Sequence, residues 1–225
     1  MNKSVPFAIS MRAFAPALIR GMRLSHRCYD DVMPAKRSPF SRGKQSGAKA
    51  RVLSSRTVFR GKVFYVTSDE VLEPNGVHAR RDIVRHQGSV VVLPVHTSGS
   101  EPRVLLIRQY RYAPDEMMWE IPAGRIDDGE QPLQAGKREL VEETGFTARR
   151  WKRALSFYAS PGFMNEIMHV LLAEDLISGK ATPEEDERIA KRFFPLATVV
   201  NMINTGKIQD GKTIAAVLWY AQKHL

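Results

Sequence analysis

Residues 124–146 read GRIDDGEQPLQAGKRELVEETGF, and this stretch leaves little freedom in how it can fold. Pro132 suits the first turn of a helix, where its missing N–H costs nothing, and Gly145 suits the left-handed position just past the end. The spacing therefore predicts a helix over 132–144. On a helix, positions three and four apart share a face, so Glu139 stands beside Glu142 and Glu143. Glu130 lies just ahead, in the preceding loop. Carboxylates so close repel one another at neutral pH unless a cation sits among them. Arg138 offsets part of that charge and is placed to pair with Glu130. Hard oxygen ligands with room for water suit Mg²⁺, which takes a few carboxylates plus substrate phosphate oxygens. The competing reading is a solvated acidic helix face neutralised by Lys137 and Arg138.

Around this helix the chain alternates strands and helices. Strands are expected over 62–67 and 69–73, and again over 77–86, with Asn75-Gly76 as a hairpin turn because both residues tolerate positive φ. Residues 88–95, GSVVVLPV, form a run of apolar and β-branched residues, the mark of a strand buried on both faces. Further strands fall over 103–109, 153–158 and 167–173, and two C-terminal helices over 196–204 and 212–223. A β-rich start followed by mixed strands and helices gives an α+β chain with an α/β/α layered domain.

The chain of 225 residues carries a formal net charge of +10, which raises nucleic acid as a partner. The position of the charge argues against it. Residues 1–57 hold 12 Lys+Arg against 2 Asp+Glu, while the remaining 168 residues hold 22 of each. A folded body with balanced charge lacks the basic patch of a nucleic-acid binder, so that partner is not expected. Residues 1–57 read as a basic tail with structure beginning near Val58. The first 29 residues contain no acid, and Arg12, Arg20, Arg23 and Arg27 fall within about 80° of one another on a helix. That resembles a mitochondrial transit peptide, although Pro6 and Pro16 would interrupt the helix. An over-extended start, with Met33 as the true first residue, is the competing reading, and a functional basic arm is a third. Residues 34–57 read as a solvated linker. The single cysteine, Cys28, allows no disulfide within the chain, in keeping with a reducing compartment. The expected location is cytoplasmic, or mitochondrial if residues 1–32 are a transit peptide. No apolar run reaches the roughly 18 residues of a membrane-spanning helix, so no membrane partner is expected.

Gly124, Glu130, Arg138, Glu139, Leu140, Glu142, Glu143, Gly145 and Phe146 occupy every fixed position of Gly-x5-Glu-x7-Arg-Glu-U-x-Glu-Glu-x-Gly-U, where U is bulky and apolar. This is the Nudix box, and the chain resembles the Nudix hydrolases over roughly residues 58–225. The segments GSVVVLPV, LLIRQYRYA, WEIPAG and SPGFMNE, with Pro161 sixteen residues past Gly145, resemble the ADP-ribose pyrophosphatase branch. The resemblance implies a Nudix fold, a mixed sheet between helices, over 88–225. It also implies a small antiparallel sheet over 58–87 through which such enzymes form homodimers and share their active sites.

The resemblance carries roles onto matching positions of this chain. Ala123 would give its backbone carbonyl to a metal, and Glu139 and Glu143 would be side-chain ligands with Glu142 close by. Glu166 would complete the site as catalytic base or as a further ligand. Arg111 would bind the phosphates or ribose of a nucleotide-sugar substrate, and Glu120 would hydrogen-bond a substrate group. Gly124, Glu130, Arg138 and Gly145 would shape the box. The implied cofactor is Mg²⁺, with Mn²⁺ as a possible substitute.

Each role has a plainer competitor. Glu166 could be a surface acid, Arg111 a solvated strand end, and Glu120 an ion-pair partner of a nearby Arg. Trp119 and Tyr112 could stack on adenine or belong to the core. His86 and His169 lack metal-ligand spacing and are expected to be structural. Residues 184–187 form an acidic run expected on a solvated face. Gly136 stands where this branch usually has alanine; a glycine within a helix costs about 0.5–1 kcal/mol relative to alanine. The expected activity is hydrolysis of ADP-ribose to AMP and ribose 5-phosphate. The alternatives are another nucleoside diphosphate sugar, or a Nudix-fold ligand sensor without catalysis.

Overall fold

A computed structural model describes residues 49–181 and 189–225. The expectations for residues 1–48, including Cys28 and the arginine stripe, and for the acidic run at 184–187 lie outside the described residues.

Two sheets organise the chain. The first is antiparallel, in the order β1 (Arg51–Arg60), β2 (Tyr65–Leu72), β3 (His78–Arg85). Its start differs from the sequence reading: β1 begins at Arg51, inside the expected linker, because 52-VLSSRTVF-59 pairs along β2 from Val71 to Val66, with register shifts between Val52 and Ser54 and between Thr57 and Phe59. Where two strands were expected over 62–67 and 69–73, one strand spans 65–72, since Thr67, Asp69 and Val71 alternate inward without a break. The turn after β2 uses Gly76 at φ +85°, whereas Asn75 contributes its side chain, accepting from Val77 N at 3.1 Å.

The second sheet runs β10 (Ala190–Pro195), β5 (Arg103–Arg111), β4 (Ser89–His96), β9 (Ile167–Ser178), β8 (Phe146–Tyr158). Two short strands branch from it, β6 (Glu116–Glu120) on β5 and β7 (Ala123–Arg125) on β4. The β4–β9 pairing is parallel and the others antiparallel, so the sheet is mixed.

Strand β4 shows why this sheet sits between helices. Val90 and Val92 pack with Ala135 and Leu140 of α1 (Pro132–Thr144). Val91, Leu93 and Val95 pack with Leu196 and Val199 of α2 (Leu196–Asn204) and with Ala216, Val217 and Tyr220 of α3 (Gly211–Ala221). Every one of these β4 side chains is fully buried, as the apolar run predicts. Alternation along a pleated strand sends successive side chains to opposite faces, and here both faces meet a helical layer. The α/β/α sandwich preceded by a small antiparallel sheet is the expected architecture.

Helix α1 spans 132–144 as its punctuation predicts. Gly145 closes it at φ +72°, with its N–H donating to Val141 O at 2.8 Å. Gly136 faces the sheet, and a Cβ there would lie 2.6 Å from Leu171 Cδ1 and 3.2 Å from Val90 Cγ2. The missing methyl lets the helix approach the sheet closely, which offsets the glycine's conformational cost. Among the described residues, no helix is long and apolar enough to cross a membrane.

Candidate active site

Strand β4 delivers the floor of the site. Val91 pairs with Ala123 and Val90 with Gly124, so β7 lies against the buried centre of the sheet. Helix α1 crosses above, and its i, i+4 pair Glu139 and Glu143 reaches down to this dipeptide. The Glu143 carboxylate accepts from Ala123 N at 3.1 Å. The Glu139 carboxylate occupies the space beside Gly124, where a Cβ would lie 1.9 Å from Oε1 and 2.5 Å from Oε2. The box glycine is thus required by Glu139, not by a turn.

Arg138 holds the other acids. Its guanidinium grips Glu130 twice, with Nε to Oε1 at 3.2 Å and Nη2 to Oε2 at 3.1 Å. Nη2 also reaches Arg125 O at 3.0 Å, and Nη1 donates to Glu139 at 2.7 Å and to Glu142 at 3.0 Å. The same Glu130 accepts from Asp127 N at 3.1 Å, so one ion pair ties the loop between β7 and α1 to the helix. The Arg138 hydrogen bonds hold the Glu130 carboxyl below the ordinary carboxylate range. Glu130 in turn leads the acids that push the Arg138 guanidinium well above its usual value. The pairing anticipated from sequence is the central strut of the site.

Glu166 is buried in the loop before β9, and its Oε1 accepts from Ser89 Oγ at 2.5 Å. Ser89 is the β4 residue directly before Val90 and pairs with Arg125 of β7. Glu166 is therefore held one residue from the strand position that registers Gly124.

Arg111 of β5, paired in the ladder with Glu116, and Glu120 at the far end of β6 meet through their side chains in a fork, Nε to Oε1 at 2.9 Å and Nη2 to Oε2 at 2.8 Å. Lys212 of α3 adds a third bond to Glu120 Oε2 at 2.5 Å. Burial alone would raise the Glu120 carboxyl; the bonds from Arg111 and Lys212 overcome this and hold it below its usual range. The Glu120 side chain is 2% exposed and that of Arg111 41%. This arrangement favours Glu120 as the anchor of Arg111 over direct contact with a substrate, and leaves part of the guanidinium open. Trp119 packs edge-on against Phe194 at 5.1 Å as part of the core, while Tyr112 is 87% exposed.

Sequence reasoning missed Ser89 and Lys212. Ser89 opens an otherwise apolar strand, a weak signal that a polar partner waits there. Lys212 lies two residues past Asp210, the N-cap of α3, whose side chain accepts from Thr213 N.

The donor set fits a hard divalent cation. Two carboxylates from one helix face converge on a main-chain segment whose Ala123 carbonyl is a further oxygen donor. Among the described residues, no three acidic, histidine or cysteine side chains form a ready-made cage.

A model of the NUDIX domain matches residues 85–217, more than half of the chain. The chain belongs to the Nudix family, whose members generally use a divalent metal. Within the family its likeness runs to the pyrophosphohydrolases. It is 35% identical over 175 residues to the ADP-ribose pyrophosphatase of Bacillus subtilis (strain 168), covering 77% of this chain and 93% of that one. It is 34% identical over 167 residues to the GDP-mannose pyrophosphatase of Yersinia enterocolitica, covering 69% and 85%. Among solved structures, an ADP compounds hydrolase matches with a TM-score of 0.67 over 78% of this chain and 94% of that one. At 24% identity, that likeness speaks for the fold.

Proposed function

We propose that this chain hydrolyses the pyrophosphate bond of ADP-ribose with Mg²⁺, releasing AMP and ribose 5-phosphate. The observation that carries the proposal is the convergence of Glu139 and Glu143 on Ala123–Gly124. Glu139, Glu143 and the Ala123 carbonyl would hold the ion, with Glu142 beside them and Mn²⁺ as a possible substitute. The ion would supply the charge that neutralises pyrophosphate oxygens and acidifies an attacking water. Glu166 would take a proton from the attacking water or serve as a further ligand. Arg111, steadied by Glu120 and Lys212, offers its open edge to the substrate's phosphates. Arg138 and Glu130 hold the loop ahead of the helix in place.

The GDP-mannose pyrophosphatase relative supports a second reading, in which another nucleoside diphosphate sugar is preferred. A substrate panel on the full chain with Mg²⁺ separates the two by product analysis. Production of AMP from ADP-ribose as the fastest reaction is expected. Strong turnover of a GDP- or UDP-linked sugar with none of ADP-ribose would overturn the substrate assignment. As the test of the ligand set, Glu143→Gln should lower kcat by orders of magnitude with the fold intact, and a fully active variant would remove Glu143 from that role.

A further inference from the structure

Glu166 sits on a loop, and a loop acid is only as useful as the groups that hold it. This loop is held on two sides. Val84 of β3 donates its N–H to Phe163 O at 2.8 Å and accepts from Asn165 N at 3.2 Å. His86 N donates to Asn165 Oδ1 at 2.8 Å. These three bonds fix the backbone of residues 163–165 to the end of the small sheet.

Two side chains lie near the carboxylate itself. His86 Nδ1 is 3.5 Å from Glu166 Oε1. However, that nitrogen accepts from Gly88 N at 3.1 Å, which uses its lone pair and leaves it no proton to offer. Ser89 Oγ, at 2.5 Å and buried, is the donor. Glu166 Oε2 has no partner among the described residues. No fully enclosed side-chain oxygen there lacks a partner, so Oε2 is not fully enclosed.

We propose that Ser89 is a positioning residue for Glu166: its hydroxyl pins Oε1 and turns Oε2 outward as the working oxygen of the site. This rests on the reading of Glu166 as base or ligand given above. Ser89, Val90 and Val91 are consecutive on β4, and they fix Glu166, Gly124 and Ala123 respectively. A single rigid strand thereby sets the loop acid against the floor that Glu139 and Glu143 approach from the helix. Without the hydroxyl, the carboxylate can turn about its own side-chain bonds even though the loop backbone stays tied to β3.

The test uses the full chain, Mg²⁺ and whichever nucleotide sugar it turns over fastest. Ser89→Ala should lower kcat on the order of ten- to a hundred-fold, the usual effect of removing an outer-shell partner, with KM unchanged. Ser89→Thr keeps the hydroxyl and should lie well above Ser89→Ala. In a Glu166→Gln background, Ser89→Ala should cost nothing further, because residues acting as a unit are not additive. If Ser89→Ala melts much earlier than the parent, Ser89→Cys, near in size but a weak donor, carries the same comparison. Parental kcat in Ser89→Ala beside a crippled Glu166→Gln overturns the role of Ser89 alone. An equal further loss in the Glu166→Gln background overturns it too, since Ser89 would then act elsewhere. An active Glu166→Gln variant overturns the reading of Glu166 and the proposal with it.

Discussion

Glu139 reaches its place because residue 124 has no side chain. A methyl at that point would overlap the carboxylate, so Glu139 would have to move. Gly124→Ala should therefore displace Glu139 and lower kcat on the order of a hundred-fold, the scale of a misplacement of about 1 Å. Its melting temperature should stay near that of the parent, because the change falls at the site and not in the core. Glu120 behaves differently, as a buried anion whose three bonds serve structure. Removing one member of a buried pair costs about 3–5 kcal/mol, and with Arg111 partly solvated about 2 kcal/mol is expected for Glu120→Gln. Its pH dependence follows from its lowered pKa. The ionised form contributes stability above the unfolded carboxyl value of about 4.3, and this is lost as pH falls through the depressed folded value. Urea unfolding should show the full gap between parent and Glu120→Gln at pH 7, closing below about pH 4. A gap that widens in acid would contradict the assignment.

Helix α1 carries two requirements in one sequence. Its acidic face brings Glu139 and Glu143 onto Ala123–Gly124, and the face bearing Gly136 must come close to β4 and β9. Gly136 serves the second. Restoring alanine there would gain about 0.5–1 kcal/mol of helix propensity, but overpacking a buried contact costs about 1–3 kcal/mol. Leu171 must move, and it belongs to a buried cluster with Val90, Ile126 and Ala135 against which Trp151 packs. Gly136→Ala should lower stability by about 1 kcal/mol, read by thermal unfolding. A more stable variant would mean that Leu171 repacks freely. The helix itself was legible, because Pro132 and Gly145 mark its ends chemically. Strands β6 and β7 were not: EMMWE and AGR are too short for a periodic pattern, and they exist because β5 and β4 offer them hydrogen-bonding edges.

At the scale of the molecule, β1 is the feature most in need of a partner. Every residue from Arg51 to Arg60 is exposed, and Val52, Val58 and Phe59 are each about half open. Phe64, Tyr65 and Val77 add to the same small sheet's apolar surface. An edge strand with such side chains is a pairing surface, which supports the homodimer expected of this branch. Light scattering of the full chain should give twice the chain mass, and a monomer would contradict that reading. The boundary matters for any shortened form. Deleting residues 1–48 should leave activity and assembly unchanged, whereas deletion through residue 57 removes most of β1 and should yield monomers with reduced activity. Equal behaviour of the two deletions would deny β1 this role.

The sequence alone determined the part of the candidate site that is local in the chain. The carboxylates of α1, its ends, Arg138 with Glu130, and the doubly buried β4 all follow from spacings of a few residues, where helix and strand periodicity fix geometry. Tertiary structure decided what depends on distant residues meeting. Gly124 is needed because Glu139 crosses back over it, and Glu120 anchors because Lys212 arrives from another helix. Ser89 meets Glu166 across 77 residues of chain, a partnership that no local pattern encodes.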